Sequence, residues 1–390
     1  MTRSKILIVD DEPFNVDYLE QELEDLDYEI LTAANGQEAL DQVKAGSPDL
    51  ILLDIMMPVM DGFTVLSHLK ENPATREIPV IVISASNNLQ SVVKGIQLGA
   101  EDYLPKPFEP TLLQARISSS LEKKHLRDLQ QLYLKSLERE LEIGREIQQG
   151  FLPSELPEVS GWEIGAYFKA AHEVAGDYYD AFLLPDGNLV CVIGDVCGKG
   201  VGAALFMSLF RSLIRATSTT DLMFQQPHYP PLTALARLQH AISFTNHYVT
   251  ETHGDKCLFT TVFICMMSPS DNKLTYINSG NEPPLLIRNG NVIAELNPTG
   301  PVVGVLPEAE FSAGEIQMET HDLLLAFTDG VTDALNYAEE AFGKERLLNL
   351  LDRNDSTPGK LLDKIEQQLK AYIGKVKQFD DITLMAIKKI

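Results

Sequence analysis

Over the first 118 residues, short apolar runs alternate with amphipathic stretches of helical length. Several of these runs are almost continuously apolar, as expected when both faces of a parallel sheet are covered. The pattern therefore predicts a doubly wound α/β domain with a five-stranded parallel sheet at residues 1–118. The predicted strands are KILIVD (5–10), YEILTA (28–33), DLILLD (49–54), IPVIVIS (78–84) and DYLPK (102–106).

Residues 119–150 contain no proline and many strong helix formers, which predicts a long helical linker. Two apolar triplets within it follow a three-then-four spacing, and they are one residue out of phase with each other. The triplets are Leu126, Leu129 and Tyr133, then Leu134, Leu137 and Leu141. This pattern favours a short, irregular coiled coil and hence a homodimer; the alternative is a solvated spacer helix.

The pattern after residue 150 becomes strand-rich, with long helical segments between the strands. Antiparallel strands mixed with long helices predict an α+β layered domain at residues 151–390. The segment 217–231 is predicted to be an irregular insertion. The predicted strands lie in WEIGAYFKA, YYDAFLL, NLVCVIGD, LFTTVFICMM, KLTYINSG, DLLLAFTDG and DITLMAIKK. The predicted helices lie at about 200–216, 231–248, 344–352 and 358–373.

Net charge, cysteine spacing and the lengths of the apolar runs argue against several classes of protein. The net charge of the 390-residue chain is −24, which argues against nucleic-acid and anionic-membrane partners. The four cysteines have no CxxC spacing, so we expect reduced, mostly buried thiols. The first apolar run is too short for a signal peptide, and no run approaches the roughly 20 residues of a membrane span. We therefore expect a cytoplasmic protein.

Polar side chains stand at the carboxyl ends of the predicted parallel strands. Asp10, Asp11 and Asp54 follow or end strands one and three, Ser84 ends strand four, and Lys106 ends strand five. Ligands bind at this edge of open parallel sheets. Clustered carboxylates repel one another unless a cation lies among them, so a divalent metal is implied. The lysine and serine are suited to hold phosphoryl oxygens.

The motifs VDDEP, LLDIMMPVMDG, ISAS and YLPKPF carry these residues. Across its full length, the domain resembles the receiver domain of two-component response regulators. The resemblance implies phosphorylation of Asp54 by a sensor histidine kinase or phosphotransfer protein. It also implies a cis peptide between Lys106 and Pro107, and a switch formed by Ser84, Tyr103 and Lys106. Mg²⁺ would be held by Asp11, Asp54 and the Met56 carbonyl, with Asp10 assisting through water.

Four aspartates in the C-terminal region stand at ends of apolar strands, mostly beside glycine: Asp177, Asp195, Asp329 and Asp380. One reading of Asp195 is a polar strand end followed by a helix cap. The other is a metal ligand, with the glycines allowing close backbone approach. An all-oxygen site suits Mg²⁺ or Mn²⁺. Two such ions about 3.5–4 Å apart activate a bridging water for attack on a phosphate ester.

The motifs IQQGFLP, AGDYYD, GDVCGKGVGAAL, NSGNEPPLL, TDGVTDA and DDIT follow one another from about residue 142 to the end. In their order and spacing, the region resembles the PPM family of metal-dependent protein serine/threonine phosphatases, most closely its SpoIIE/RsbU-type branch. The resemblance implies stacked antiparallel sheets flanked by helices, with two Mn²⁺ or Mg²⁺ ions between them. Asp195 and the Val196 carbonyl would be shared ligands, completed by Asp177, Asp329 and Asp380, with Asp381 as the alternative to Asp380.

The region departs from the branch pattern in three places. Ala175 stands where glycine is common, Cys197 where serine is common, and GNEPP replaces a version that carries histidine. None of these changes removes a candidate carboxylate ligand. Lys199 is either a phosphate contact near a helix N-terminus or a solvated turn residue.

Together the two resemblances imply a response regulator in which aspartate phosphorylation controls a metal-dependent serine/threonine phosphatase. The branch resemblance further implies a phosphorylated anti-sigma-factor antagonist as the substrate, in a partner-switching pathway. The alternative is a non-catalytic adaptor whose phosphatase-like domain only binds a regulatory partner. DNA binding is not expected, because the chain is acidic and contains no basic recognition helix.

Overall fold

The computed structural model describes residues 3–24, 26–85, 89–107, 109–223, 232–351 and 357–390. The chain forms two compact units, Met1–Leu137 and Glu138–Ile390.

The first unit is built on a five-stranded parallel sheet, as the sequence predicts. The strands lie side by side in the order β2-β1-β3-β4-β5. β3 and β4 are buried along their whole length, which explains their continuous apolar runs. The strands are β1 (Lys5–Val9), β2 (Glu29–Ala33), β3 (Leu50–Asp54), β4 (Val80–Ser84) and β5 (Asp102–Pro105).

Helices cover both faces of this sheet and give it two apolar cores. Side chains of α2 and α3 pack on one face, and side chains of α1 and the start of α5 pack on the other. The unit is therefore the predicted doubly wound α/β fold. The helices are α1 (Pro13–Glu24), α2 (Gly36–Gly46), α3 (Gly62–Glu71), α4 (Leu89–Gln97) and α5 (Pro110–Gln149).

Helix α5 is longer than the predicted linker. The sequence predicts a separate helix at 119–150, whereas a single helix of 40 residues begins at Pro110 and ends at Gln149. No proline or glycine occurs between residues 110 and 144, so nothing interrupts the helix after its first turns. The last helix of the receiver fold and the linker are therefore one element.

The second unit contains two five-stranded antiparallel sheets. One has the order β13-β10-β9-β8-β7, and the other has the order β12-β11-β14-β15-β6. Their strands are β6 (Trp162–Lys169), β7 (Tyr178–Leu183), β8 (Leu189–Val196), β9 (Thr260–Ser268), β10 (Lys273–Ser279), β11 (Leu285–Arg288), β12 (Asn291–Glu295), β13 (Gly314–Gln317), β14 (Leu323–Phe327) and β15 (Ile382–Lys389).

The two sheets pack face to face, and helices cover their outer faces. One core contains side chains from both sheets, including Ile193, Phe263, Leu324 and Met385. A second core lies under α6 and α7, and a third lies under α8 to α10. The helices are α6 (Val201–Met223), α7 (Ala234–His253), α8 (Asp329–Thr332), α9 (Gly343–Asn349) and α10 (Pro358–Ile373), with a 3-10 turn at Gly254–Lys256.

Three expectations for this unit need correction. Strands β11, β12 and β13 were not predicted; they are short, and β12 and β13 alternate between exposed and half-buried positions. Helix α6 continues to Met223, so residues 217–223 are helical rather than irregular; residues 224–231 lie outside the described residues. Of the four free cysteines only Cys191 and Cys265 are buried, and Cys257 is exposed.

Within the described ranges, no helix has the combination of length and apolar character that a membrane span requires.

Candidate functional site

The first unit brings three carboxylates together at the carboxyl edge of its sheet. The register of β1 and β3 pairs Val9 with Leu53, so the next residues, Asp10 and Asp54, lie side by side. Oxygens of Asp10, Asp11 and Asp54 lie within 4.8 Å of one another. Carboxylate oxygens at this density suit a hard divalent cation such as Mg²⁺. The donor set therefore fits the metal implied by the sequence.

Lys106 bridges two of these carboxylates. Its Nζ lies 2.6 Å from Asp10 Oδ2 and 3.0 Å from Asp54 Oδ2. Burial favours the neutral amine, but the hydrogen bonds and charges of Asp10 and Asp54 outweigh it and raise the pKa of Lys106. Asp54 Oδ1 accepts a 2.7 Å hydrogen bond from the Ile55 backbone N–H, so the lysine contacts the other carboxylate oxygen.

The remaining predicted receiver residues lie at or near the same edge, with Tyr103 two positions before it. Ser84 is the last residue of β4 and is fully buried, and Tyr103 lies in β5 and is half-buried. The Met56 side chain is 72% exposed, and its soft thioether does not suit Mg²⁺, so the backbone carbonyl is the candidate ligand. The peptide between Lys106 and Pro107 is cis, as the resemblance implies.

The second unit collects five aspartates at one end of its sandwich. Asp177 precedes β7 and Asp195 lies near the end of β8; their register pairs Tyr178 with Gly194, so the two aspartates occupy facing positions. Asp329 begins α8 just after β14, and Asp380 and Asp381 directly precede β15. One sheet supplies the first pair of aspartates and the other sheet supplies the remaining three.

Asp177 is almost fully buried and is held by two hydroxyl groups. Its Oδ2 accepts a 2.7 Å hydrogen bond from Thr328 Oγ1 and a 2.5 Å bond from Thr383 Oγ1. Both threonines are themselves buried, and the Thr383 N–H donates to Thr328 Oγ1. These contacts fix one oxygen of Asp177 and leave the other to face Asp195 and the rest of the cluster.

Mutual repulsion among these aspartates is large. Burial, and next the charge of Asp329, raise the pKa of Asp195 to about 7, with smaller contributions from Asp380 and Asp381. Burial and Asp195 raise the pKa of Asp177 well above its usual value, and burial and Asp380 raise the pKa of Asp329. A divalent cation among these groups would relieve the repulsion, so the donor set fits Mg²⁺ or Mn²⁺.

The carboxylate oxygens of the second cluster are less closely grouped than those of the first. In the part of the chain that the structure describes, the receiver aspartates are the only three acidic side chains with oxygens within 4.8 Å of one another. The phosphatase-like cluster is therefore more open.

Asp380 and Asp381 have different environments. Asp381 Oδ1 accepts from the Ala171 N–H at 2.7 Å, and its Oδ2 accepts from the Gly176 and Asp177 N–H groups at 2.8 and 3.4 Å. Its oxygens are thus occupied by the loop that carries Asp177. Asp380 Oδ2 pairs with Lys199 Nζ at 3.0 Å, and its Oδ1 accepts a 2.9 Å hydrogen bond from the Asp381 N–H. Both carboxylates thus have partners, and they differ in exposure: the Asp380 side chain is 31% exposed, whereas Asp381 is buried.

Two glycines allow the backbone to approach closely at this end. A Cβ atom on Gly176 would lie 2.8 Å from the Val196 carbonyl oxygen and 3.3 Å from Asp195 Oδ1. A Cβ atom on Gly330 would lie 1.8 Å from the carbonyl oxygen of Asp381. Neither position has room for a side chain, which explains the glycines beside Asp177 and Asp329.

Lys199 contacts the site directly. Its Nζ donates a 2.7 Å hydrogen bond to the Phe379 carbonyl, lies 3.0 Å from Asp380 Oδ2, and lies 4.2 Å from the centre of the Phe379 ring. The side chain is 43% exposed. Lys199 is therefore anchored at the rim of the aspartate cluster rather than free in solvent.

Several residues at this site were not predicted as functional: Thr328, Thr383, Gln148 and Glu282. Thr328 and Thr383 contact Asp177, and the charge of Glu282 acts on Asp329. Gln148 bonds to the backbone of Ala175. All four lie within the quoted motifs TDGVTDA, DDIT, IQQGFLP and NSGNEPPLL, but only Thr328 and Thr383 stand close in sequence to a candidate ligand. That these four side chains are polar does not by itself predict that they contact the aspartate site.

Comparison with known proteins agrees with this geometry. A family model described as Stage II sporulation protein E (SpoIIE) matches residues 185–389, and one described as response regulator receiver domain matches residues 6–118. The SiaA-PP2C domain of Pseudomonas aeruginosa covers 66% of this chain and 99% of its own, with a TM-score of 0.53 at 19% identity. At that identity the likeness establishes the fold, which is that of a PP2C domain.

Two curated relatives match stretches of different length in this chain. Protein IcfG of Synechocystis is 41% identical over 260 residues, which is 64% of this chain and 41% of IcfG. Response regulator PleD of Caulobacter vibrioides is 46% identical over 116 residues, which is 30% of this chain and 26% of PleD. The chain thus spans less than half the length of either relative.

The aspartates of the second unit, the PP2C-like double sheet around them and a family match over more than half of the 390 residues agree with one another. The chain therefore belongs to the Stage II sporulation protein E (SpoIIE) family, and it carries a response regulator receiver domain before its phosphatase domain.

Proposed function

We propose that this protein is a response regulator whose phosphorylation on Asp54 controls a metal-dependent protein serine/threonine phosphatase. One observation carries the proposal: aspartates from two separate sheets meet at one end of the sandwich, where Asp195 is repelled by Asp329, Asp380 and Asp381. Bringing these like charges together destabilises the metal-free fold, and divalent cations bound among them would offset that repulsion.

In the phosphatase unit, Asp195 and the Val196 carbonyl would be shared by two Mn²⁺ or Mg²⁺ ions, with Asp177, Asp329 and Asp380 completing the set. The ions supply Lewis acidity and a metal-activated water for attack on a phosphate ester. Thr328 and Thr383 orient Asp177, and Asp381 orients its backbone.

In the receiver unit, Asp54 is the phosphate acceptor. Asp10, Asp11, Asp54 and the Met56 carbonyl would hold Mg²⁺, with Asp10 acting through water. Lys106 is hydrogen-bonded to Asp54 Oδ2, so its positive charge is in place to hold a phosphoryl oxygen. Ser84 and Tyr103 complete the switch. The phosphate donor is a sensor histidine kinase or phosphotransfer protein in the cytoplasm.

The substrate that we propose is phosphoserine or phosphothreonine on an anti-sigma-factor antagonist of a partner-switching pathway. The support is membership of the SpoIIE family together with the resemblance to its RsbU-type branch. Asp329 is exposed and Asp195 and Asp380 are half-buried, so one side of the site opens to solvent, where a folded protein substrate can reach it.

We further propose that the protein is a homodimer joined through α5. Every residue from 131 to 140 is exposed, including Leu132, Tyr133, Leu134 and Leu137. A row of large apolar side chains in water is costly, and a second copy of the same helix covers it most simply.

The test is phosphate release from phosphorylated antagonist proteins, with Mn²⁺ or with a chelator, and with or without acetyl phosphate. We expect release that requires metal, that is abolished by Asp195→Ala, and whose rate changes with the phosphodonor. Asp363→Ala, at an exposed position of α10, is the control. Binding of the antagonist without any metal-dependent release would instead support the non-catalytic adaptor.

A further inference from the structure

Gln148, near the end of α5, bonds with both ends of its amide to one peptide. Its Nε2 donates to the Ala175 carbonyl at 2.7 Å, and the Ala175 N–H donates to its Oε1 at 2.9 Å. Gln148 is only 7% exposed, whereas its neighbours Ile147 and Gln149 are exposed. The side chain therefore forms a buried, two-point attachment between the helix and the chain at Ala175.

The attached peptide lies two residues before Asp177. The next residue, Gly176, packs against the Val196 carbonyl and Asp195 Oδ1, so this loop has little free space. On its other side, Asp381 accepts hydrogen bonds from the Gly176 and Asp177 N–H groups. The position of Asp177 is thus set from two directions, by the last strand and by helix α5.

Helix α5 contacts this loop along one face. Gly144 lies one turn before Gln148, and a Cβ atom on it would be 3.8 Å from Val174 Cγ1. Hydrogen bonds of 2.7 and 2.9 Å tolerate little movement before they weaken. A shift or rotation of α5 must therefore either carry Ala175 with it or break both bonds.

We propose that Gln148 is a positioning residue that makes the metal affinity of the Asp177 loop depend on the position of helix α5. The proposal rests on the proposed function, since it takes the aspartate cluster as a divalent-metal site and Asp54 phosphorylation as the input. A change in the position of α5 would then reach the aspartate cluster through the Gln148 side chain and the Ala175 peptide.

The experiment measures Mn²⁺ binding to the full chain by titration calorimetry, with and without acetyl phosphate. Asp195→Ala, titrated in parallel, gives the Mn²⁺ bound by the receiver aspartates, and this contribution is subtracted. Gln148→Ala is expected to weaken Mn²⁺ binding roughly 10- to 100-fold, the usual effect of losing a residue that orients a ligand. It is also expected to abolish the change in Mn²⁺ affinity that the phosphodonor causes in wild type. Gln149→Ala, the same substitution at the next, exposed position, should bind like wild type.

A second variant separates positioning from folding. Gln148→Met keeps the length and helix propensity of the side chain and removes both hydrogen bonds. We expect weakened Mn²⁺ binding with cooperative thermal unfolding retained, and phosphatase turnover that recovers at saturating Mn²⁺. Wild-type Mn²⁺ affinity in a folded Gln148→Ala or Gln148→Met variant would overturn the proposal. Unfolding of both variants would also overturn it, because Gln148 would then serve the fold.

Failure of the proposed function has a different signature. In that case Asp195→Ala would bind Mn²⁺ as well as wild type does, because only the receiver aspartates would then hold the ion. If wild type binds Mn²⁺ but the phosphodonor changes nothing, the control by Asp54 fails. The comparison of Gln148→Ala with Gln149→Ala without phosphodonor then still decides whether Gln148 positions the Asp177 loop.

Discussion

The Thr383 hydroxyl donates a 2.5 Å hydrogen bond to the carboxylate of Asp177, a residue 206 positions earlier in the chain. This contact joins β15 of one sheet to the start of β7 of the other. Together with the Thr328 hydroxyl, it favours the ionised form of Asp177, which burial and Asp195 disfavour. A metal ligand must be ionised, so the two threonines support metal binding without themselves being ligands.

Thr383→Val removes this hydroxyl and keeps the shape of the side chain. We expect Mn²⁺ affinity to fall by roughly tenfold or more, because a buried Asp177 with one donor fewer holds its proton more tightly. Thr275→Val is the control, at a buried strand position of β10. Equal Mn²⁺ affinities of the two variants, measured by calorimetry, would contradict this role of Thr383.

Asp195 gives a pH dependence in the metal-free protein. Burial and Asp329 raise its pKa to about 7 from the ordinary value of 3.8. The folded state therefore holds this proton more tightly than the unfolded chain, so the free energy of unfolding falls as pH rises from about 4 to about 7.

We expect Asp195→Asn, in chelator, to show a smaller fall over that range and to be more stable than wild type near neutral pH. With Mn²⁺ present the order should reverse, because only wild type gains stability from bound metal. Urea unfolding at several pH values measures both effects, with Asp363→Asn as the exposed control. An unchanged pH slope in Asp195→Asn would show that repulsion at this site is already relieved without metal.

Gly330→Ala tests the tight contact between Asp329 and the strand start at Asp381. The new Cβ atom would lie 1.8 Å from the Asp381 carbonyl oxygen, so the backbone must move. We expect a loss of about 1–3 kcal/mol or more in the free energy of unfolding, with loss of phosphatase turnover. Gly359→Ala, where a Cβ atom meets nothing within 4 Å, should be neutral in urea unfolding and in turnover.

Asp54→Asn should abolish labelling by acetyl phosphate and leave phosphatase turnover without phosphodonor unchanged, because the sites lie in separate units. Asp61→Asn is the matched control: Asp61 caps α3 by accepting from the Thr64 N–H, and asparagine caps as well. The measurement is acid-labile label followed by mass spectrometry. Label retained in Asp54→Asn, or label that survives acid, would exclude Asp54 as the acceptor.

Leu137→Glu should weaken the dimer and uncouple turnover from Asp54 phosphorylation. It places a charge among the exposed apolar side chains of α5, where two helices would pack. Ser136→Glu adds the same charge at the neighbouring exposed position and should have a smaller effect. Sedimentation and turnover with phosphodonor measure both. A monomeric wild type would remove the basis of this prediction, and an unaffected dimer would make α5 a spacer.

The sequence by itself determined the elements of the first unit and the identity of the candidate ligands. All five receiver strands lie where the pattern placed them. The signal is strongest for β1, β3 and β4, because a strand buried on both faces needs a continuous apolar run. The aspartates were recognisable because burying a carboxylate at the end of such a run, beside glycine, is costly unless a cation or hydrogen-bond donor compensates its charge. Local pattern was sufficient for both.

The pattern of apolar and polar residues did not predict elements that are short or element ends that no residue marks. Strands β12 and β13 have four or five residues and little buried surface, so their sequences hardly differ from loops. Helix α5 begins before its predicted start because no residue near 118 marks an end or a beginning.

Only the tertiary structure decided which residues serve the aspartates. Thr383, Asp381 and Gln148 reach the Asp177 loop across 206, 204 and 27 positions of the chain, respectively. Hydroxyl and amide side chains are common on protein surfaces, so nothing in the local sequence distinguishes Thr383 or Gln148, and Asp381 was predicted only as the alternative ligand to Asp380. Their roles arise because sheet pairing and the end of α5 bring them against one buried loop, where each unpaired polar group would be costly.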